Sequence, residues 1–125
     1  MNKLSSLSIF FPAFNEEVNI KIVVKQALDL APKVSQKFEI LVIDDGSVDK
    51  TADVVSAMAK QHKQIRLVQH KVNMGYGNAL KTGLYNSKFR HKNENKSSSR
   101  AALWRRLFII NKEAPYRLRG VMFSL

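Results

Sequence analysis

The stretch that most constrains this chain runs from Phe38 to Thr51. Four apolar residues, Ile40, Leu41, Val42 and Ile43, follow one another without interruption, and Asp44, Asp45 and Gly46 come directly after them. An alternating pattern marks a strand with one wet face. An unbroken run rich in β-branched residues marks a strand buried on both faces, which is the habit of a parallel sheet. Ser47, Asp49 and Thr51 then supply the chemistry of a helix start. Such a strand delivers two carboxylates to its carboxyl end, the edge at which open α/β sheets bind ligands. Carboxylates repel a phosphate, but they accept hydrogen bonds from ribose hydroxyls or from the N–H edge of a base. Each carboxylate taken alone is as consistent with a helix cap as with a ligand contact. The pair, placed after a fully apolar strand, favours a ligand role for at least one.

The flanking chain repeats the pattern. Leu7–Phe11 reads as a first strand closed by Pro12, which cannot donate to a ladder. Asn15 is a candidate N-cap, with Glu16 and Glu17 in the first turn where the dipole favours anions. Ile20, Val23, Val24, Ala27, Leu28 and Ala31 share one helical face opposite Lys21, Lys25 and Asp29, and Pro32 stops the helix. The second strand is Phe38–Ile43. A second helix covers about Asp49–His62, with Ala52, Val55, Met58 and Ala59 inward. Ile65–Gln69 is a third strand. Asn73-Met74-Gly75-Tyr76-Gly77 leads into a third helix ending near Ser87, its glycines allowing tight turning or close approach to a ligand. Strands alternating with helices through short loops make an α/β fold with a parallel sheet and right-handed crossovers.

At Phe89 the character changes. The chain has 125 residues and a net charge of +11. Residues 1–88 hold 12 Lys/Arg and 8 Asp/Glu, giving +4, and residues 89–125 hold 9 and 2, giving +7. The basicity therefore belongs mostly to residues 89–125, a tail read as linker or disorder over Arg90–Arg100 and partly helical over Ala101–Lys112. Leu103, Trp104, Leu107 and Phe108 stand at helical spacing beside Arg105 and Arg106. That pattern suits a membrane-surface helix, although packing on the domain or no evolved structure is favoured for so short a run. An excess of positive charge favours anionic partners without choosing among them. There are no cysteines, so disulfides and thiolate metal sites are excluded. No signal-peptide core precedes the first strand, and no apolar run approaches the length of a membrane span. The expected setting is cytoplasmic, peripheral at most on a membrane face.

Several motifs fail in detail. Gly75-x-Gly77 lacks the third glycine of a dinucleotide fingerprint, since Leu80 stands there, and it follows the third strand. No phosphate-loop lysine motif is present. Asp45-x-Ser47-x-Asp49 hints at a calcium loop, but Lys50 occupies the turn-glycine position and Ser56 the bidentate-glutamate position. His62, His70 and His91 have no metal spacing and read as surface histidines. What survives is a constellation of three segments, each following a strand and so sharing one sheet edge: Pro12-x-Phe14-Asn15-Glu16, Ile43-Asp44-Asp45-Gly46-Ser47 and Asn73-x-Gly75-x-Gly77. Together they would line a nucleoside site.

As a set, Phe11–Glu17, Val42–Thr51, Asn73–Ala79 and Gly83-Leu84 resemble the start of a family 2 glycosyltransferase. The similarity is to the dolichyl- or polyprenyl-phosphate sugar transferase branch and covers residues 7–88. It implies a GT-A (Rossmann-like) sheet with flanking helices, and transfer of a sugar from a UDP or GDP donor to a lipid-phosphate or saccharide acceptor. By the resemblance, Pro12, Phe14 and Glu16 would contact the base, with Asn15 among the nucleotide-sugar-binding residues. Ile43 and Asp45 would hold base and ribose with Asp44 adjacent, and Asn73, Gly75 and Gly77 would shape the nucleotide pocket.

The sequence departs from that pattern beyond residue 88. The resemblance implies a further strand ending in Asp-x-Asp, which would hold Mg²⁺ or Mn²⁺ on the donor diphosphate. The last aspartate here is Asp53. The expectation is an incomplete GT-A unit over residues 1–88, truncated or frame-shifted, with a basic tail, no catalytic residue and no metal bound well. The alternative is a non-enzymatic interaction module that uses the tail on an anionic membrane, nucleic acid being disfavoured. A sheet lacking its fourth strand would also leave the first strand with an unpaired edge.

Overall fold

A computed structural model describes residues 3–88 and the backbone of 121–124. The elements run β1 (Leu4–Ala13), α1 (Ile20–Val34), β2 (Ser35–Asp44), α2 (Thr51–Gln61), β3 (Ile65–Gln69), α3 (Tyr76–Asn86) and β4 (Val121–Ser124). The sheet order is β3-β2-β1-β4. β1, β2 and β3 are parallel to one another, and β4 is antiparallel to β1. The expected parallel α/β unit is therefore present, three strands wide. The proposed tail segments Arg90–Arg100 and Ala101–Lys112 lie outside the described residues.

The two faces of β1 and β2 follow from the strand period of two. Leu7, Ile9, Phe11 and Ala13 of β1, with Ile40 and Val42 of β2, meet Ile20, Val23, Val24, Ala27 and Ala31 of α1 and Val55 and Met58 of α2. On the opposite face Phe10, Leu41 and Ile43 meet Ala79 of α3, flanked by Val68, Leu80 and Leu84. Residues 40–43 are all fully buried, so the unbroken apolar run is explained by helices on both sides. Each such side chain contributes about 2 kcal/mol of hydrophobic stabilisation.

Three expectations are corrected. Pro12 does not end β1, which runs one residue further and pairs Ala13 with Asp44. The Ala13 carbonyl accepts from the Asp45 N–H at 2.8 Å, so the neighbouring Pro12 turns its missing donor to the opposite side, beyond the Leu7–Phe10 segment that β4 pairs. Pro32 lies inside the last turn of α1, where it forfeits one i→i−4 hydrogen bond without ending the helix, which continues to Val34. The edge of β1 is not unpaired, because β4 covers Leu7–Phe10. The apolar run Phe108-Ile109-Ile110, which offers itself as a substitute for the missing fourth strand, lies outside the described residues.

Buried under the end of α3 is a polar cluster that the sequence reading did not single out. Glu39, on β2, is 3% exposed and accepts from Ser8 Oγ at 2.8 Å and from Arg66 Nε and Nη2 at 3.1 and 2.8 Å. The Lys88 N–H also donates to Glu39, and Arg66 Nη2 donates to the Asn86 carbonyl. A buried carboxylate needs such partners to be tolerated. These bonds fasten the C-terminal end of α3 to the sheet.

Candidate nucleotide site

The three post-strand segments meet at the carboxyl edge of the sheet, and short polar side chains stitch them together. The first two are joined reciprocally. The Asn15 N–H donates to Ser47 Oγ at 2.9 Å, and Asn15 Oδ1 accepts from the Val48 N–H at 3.0 Å. The Glu16 N–H donates to Thr51 Oγ1 at 2.9 Å. The Glu17 N–H donates to Asp49 Oδ2 at 3.2 Å, while Glu17 Oε2 accepts from the Lys50 N–H at 3.3 Å. Asn15 takes a left-handed backbone, φ 53°, which asparagine tolerates better than most residues.

Asn15 is therefore not the N-cap of α1, and Glu16 and Glu17 are not in its first turn. The helix begins at Ile20, after a turn in which the Glu16 carbonyl accepts from the N–H groups of Asn19 and Ile20. α2 begins at Thr51, two residues later than expected, with Lys50 at its N-cap and Asp49 just ahead of it. Asp49 Oδ1 accepts from the Thr51 N–H at 2.9 Å and from the Thr51 hydroxyl. Burial alone pushes the Asp49 carboxyl up. The hydrogen bonds from the Thr51 side chain and backbone, with those from the Glu17 N–H and its own amide, prevail and hold it below the ordinary value of 3.8.

The second and third segments are joined through Asp45. Its side chain is buried, Oδ1 accepts from the Met74 N–H at 2.8 Å, and Oδ2 accepts from the Gly75 N–H at 3.0 Å. His70 Nδ1 lies 2.7 Å from the same Oδ1, and its Nε2 lies 2.8 Å from Thr82 Oγ1 on α3. His70 is thus not a surface histidine, since 9% of its side chain is exposed. Sequence spacing gave no sign of this, because its partners come from two other elements. His62 is exposed as expected, and His91 lies outside the described residues.

Gly46 belongs to this junction. Its φ is +74°, and a Cβ there would sit 2.4 Å from the backbone N of Asn73 and the carbonyl carbon of Val72. No side chain fits, so the Asp45–Ser47 turn can lie directly on the third segment.

The candidate residues divide by position. Pro12 is buried at the end of β1, and Ile43 is fully buried against Phe10 and Leu41, so its side chain is in the core rather than at the edge. Phe14 is half-buried, and Asn73, Gly77 and the Asn15 side chain are exposed. Glu16 is buried at the edge. Asp44 is 2% exposed, its Oδ1 accepting from the Ser47 N–H at 3.1 Å, so one of its oxygens caps the turn. Asp45 already serves three donors.

The donor set does not fit a divalent metal. Asp45 is engaged by two amides and a histidine, and among the described residues no group of three or more His, Cys, Asp or Glu is placed to hold an ion. Among the described residues, no helix is long and apolar enough to cross a membrane.

Residues 8–102 match the profile of Glycosyl transferase family 2. The chain is 37% identical over 82 residues to a dolichyl-phosphate beta-glucosyltransferase of Trichomonas vaginalis, covering 62% of this chain and 25% of that protein. A dolichyl-phosphate beta-glucosyltransferase of Dictyostelium discoideum is 35% identical over 85 residues, covering 62% and 26%. An undecaprenyl-phosphate 4-deoxy-4-formamido-L-arabinose transferase of Photorhabdus laumondii is 27% identical over 75 residues, covering 60% and 23%. The chain spans about a quarter of the length of these relatives.

Proposed function

The chain belongs to glycosyl transferase family 2, and on that premise we propose that the carboxyl edge of its parallel sheet binds the nucleotide part of a UDP- or GDP-linked sugar. The sugar would pass to a polyprenyl-phosphate acceptor, the class named in the relatives from Trichomonas, Dictyostelium and Photorhabdus. The observation that carries the reading is the Asp45 clamp. It locks the second and third segments together, and Asp44 and Glu16 are likewise buried in the segments that follow β2 and β1. Acids in that position suit a base and a ribose, which offer N–H and O–H donors. The diphosphate would lie toward the N-terminus of α3, whose first turn carries no acid and whose dipole favours anions.

We propose further that residues 54–125, which hold no aspartate, do not supply the Asp-x-Asp of the intact pattern, so that these 125 residues by themselves bind a donor without turning it over. Calorimetric titration of the purified chain with UDP, GDP and their sugars tests both parts. The expected result is saturable heat with one nucleotide series, weakened about tenfold in Asp45→Asn. Absence of heat with every nucleotide, on protein folded by circular dichroism, overturns the binding reading. Transfer of sugar to a polyprenyl phosphate by the purified chain overturns the claim that it does not turn over.

A further inference from the structure

His70 is a titratable side chain at this edge that the nucleotide reading leaves unused. The Asp45 carboxylate can only accept, so the 2.7 Å contact requires a proton on His70 Nδ1. At the other nitrogen, Thr82 Oγ1 stands 2.8 Å from Nε2 and 3.0 Å from the Asn78 carbonyl. The hydroxyl has one hydrogen. With a neutral ring it serves either the ring or the carbonyl. With a second proton on Nε2 it accepts from the ring and donates to the carbonyl, and every contact is made at once.

We propose that His70 is a positioning residue of the nucleotide site: its protonated imidazole ties Asp45 to Thr82 of α3 and thereby holds the Met74–Gly75 turn in its binding geometry. The proposal rests on the reading that this edge binds a nucleotide. The same proton balances the charge of Asp45, which reduces the repulsion that a diphosphate would meet there. The groups facing the ring are few. Asp45 comes from the segment after β2, and Thr82 comes from α3 and does not titrate in this range. Asp44 presents only its backbone carbonyl, which accepts from the His70 N–H at 2.8 Å. Lys71 and Lys81, adjacent in sequence to His70 and Thr82, are exposed. A ring proton on Nε2 completes the Asp45–His70–Thr82 bridge, so affinity is expected to fall as pH rises.

The test uses the full chain and two readouts. The first is the UDP and GDP dissociation constant between about pH 5.5 and 8, the span over which histidine ordinarily titrates. The wild type is expected to weaken about tenfold across it. His70→Leu should be about tenfold weaker at the acid end and flat with pH. His70→Asn, which keeps an amide donor within reach of Asp45, should recover most of the affinity and stay flat. A pH profile in His70→Leu that follows the wild type overturns the proposal. The second readout is amide hydrogen exchange at Met74 and Gly75 without nucleotide, expected to quicken about tenfold in His70→Leu and much less in His70→Asn. Unchanged exchange overturns the positioning role. Quickened exchange in a chain that binds no nucleotide supports the clamp and defeats the nucleotide reading, so the two failures are distinguishable.

Discussion

Asp49 shows how one carboxylate at this edge is committed to structure. It accepts from the Thr51 N–H, the Thr51 hydroxyl and the Glu17 N–H, which joins the start of α2 to the segment after β1. These bonds favour the charged form and lower its pKa below 3.8. A group depressed in the folded state stabilises fully above its unfolded value and loses that contribution as pH falls through the folded one. Urea unfolding of wild type and Asp49→Asn should therefore show a constant difference above about pH 5 that shrinks below about pH 4. A difference that persists unchanged into acid contradicts the assignment. The sequence made Asp49 legible as a helix-start residue because that chemistry is local. It did not make His70 legible, because a histidine bridging Asp45 and Thr82 leaves no mark in spacing.

At the scale of elements, α3 is held by contacts at both ends and one close approach in the middle. Asp45 accepts from the Met74 and Gly75 N–H groups at its start, His70 meets Thr82 near its middle, and at its end Arg66 donates to the Asn86 carbonyl while Glu39 accepts from the Lys88 N–H. Between them Gly83 rests on Phe10, where a Cβ would come within 2.4 Å of ring atom Cδ2. Phe10 is 2% exposed and packed with Leu41 and Ile43, so the ring has little room to yield. Gly83→Ala raises helix propensity by about 1 kcal/mol and overpacks the core by about 1–3 kcal/mol. The expected net effect is a loss of about 1 kcal/mol by chemical denaturation. Phe10→Leu should cost less in the Gly83→Ala background than alone, a coupling that a double-mutant cycle measures. Additive effects contradict the contact. The third helix was expected after the Asn73–Gly77 glycines with an end near Ser87, and it spans Tyr76–Asn86. The helix starts were displaced because Asn15, Glu16 and Glu17 bond across to Ser47–Thr51 instead of capping α1. The β4 pairing was not legible, since the strand that covers β1 comes from far along the chain and runs antiparallel.

At the scale of the whole molecule, topology does most of the functional work. Three parallel strands deliver three segments to one edge, as expected from strands alternating with helices and a motif after each of Leu7–Phe11, Phe38–Ile43 and Ile65–Gln69. What sequence could not supply was the use to which each acid is put. Asp45 and Asp49 largely serve backbone amides, and Asp44 gives one oxygen to a turn, so the edge is first a self-supporting lattice and then a binding surface. That ordering suits a site that must be preorganised before a nucleotide arrives. The most direct measurement is a backbone amide NMR titration of the chain with UDP and with GDP. The account predicts that one of them shifts the signals of Asn15–Glu17, Asp45–Val48 and Met74–Asn78 together, in one saturable process, while Ser35–Phe38 and Lys60–Gln64 at the far edge stay still. Shifts concentrated away from the carboxyl edge, or none with either nucleotide, contradict it.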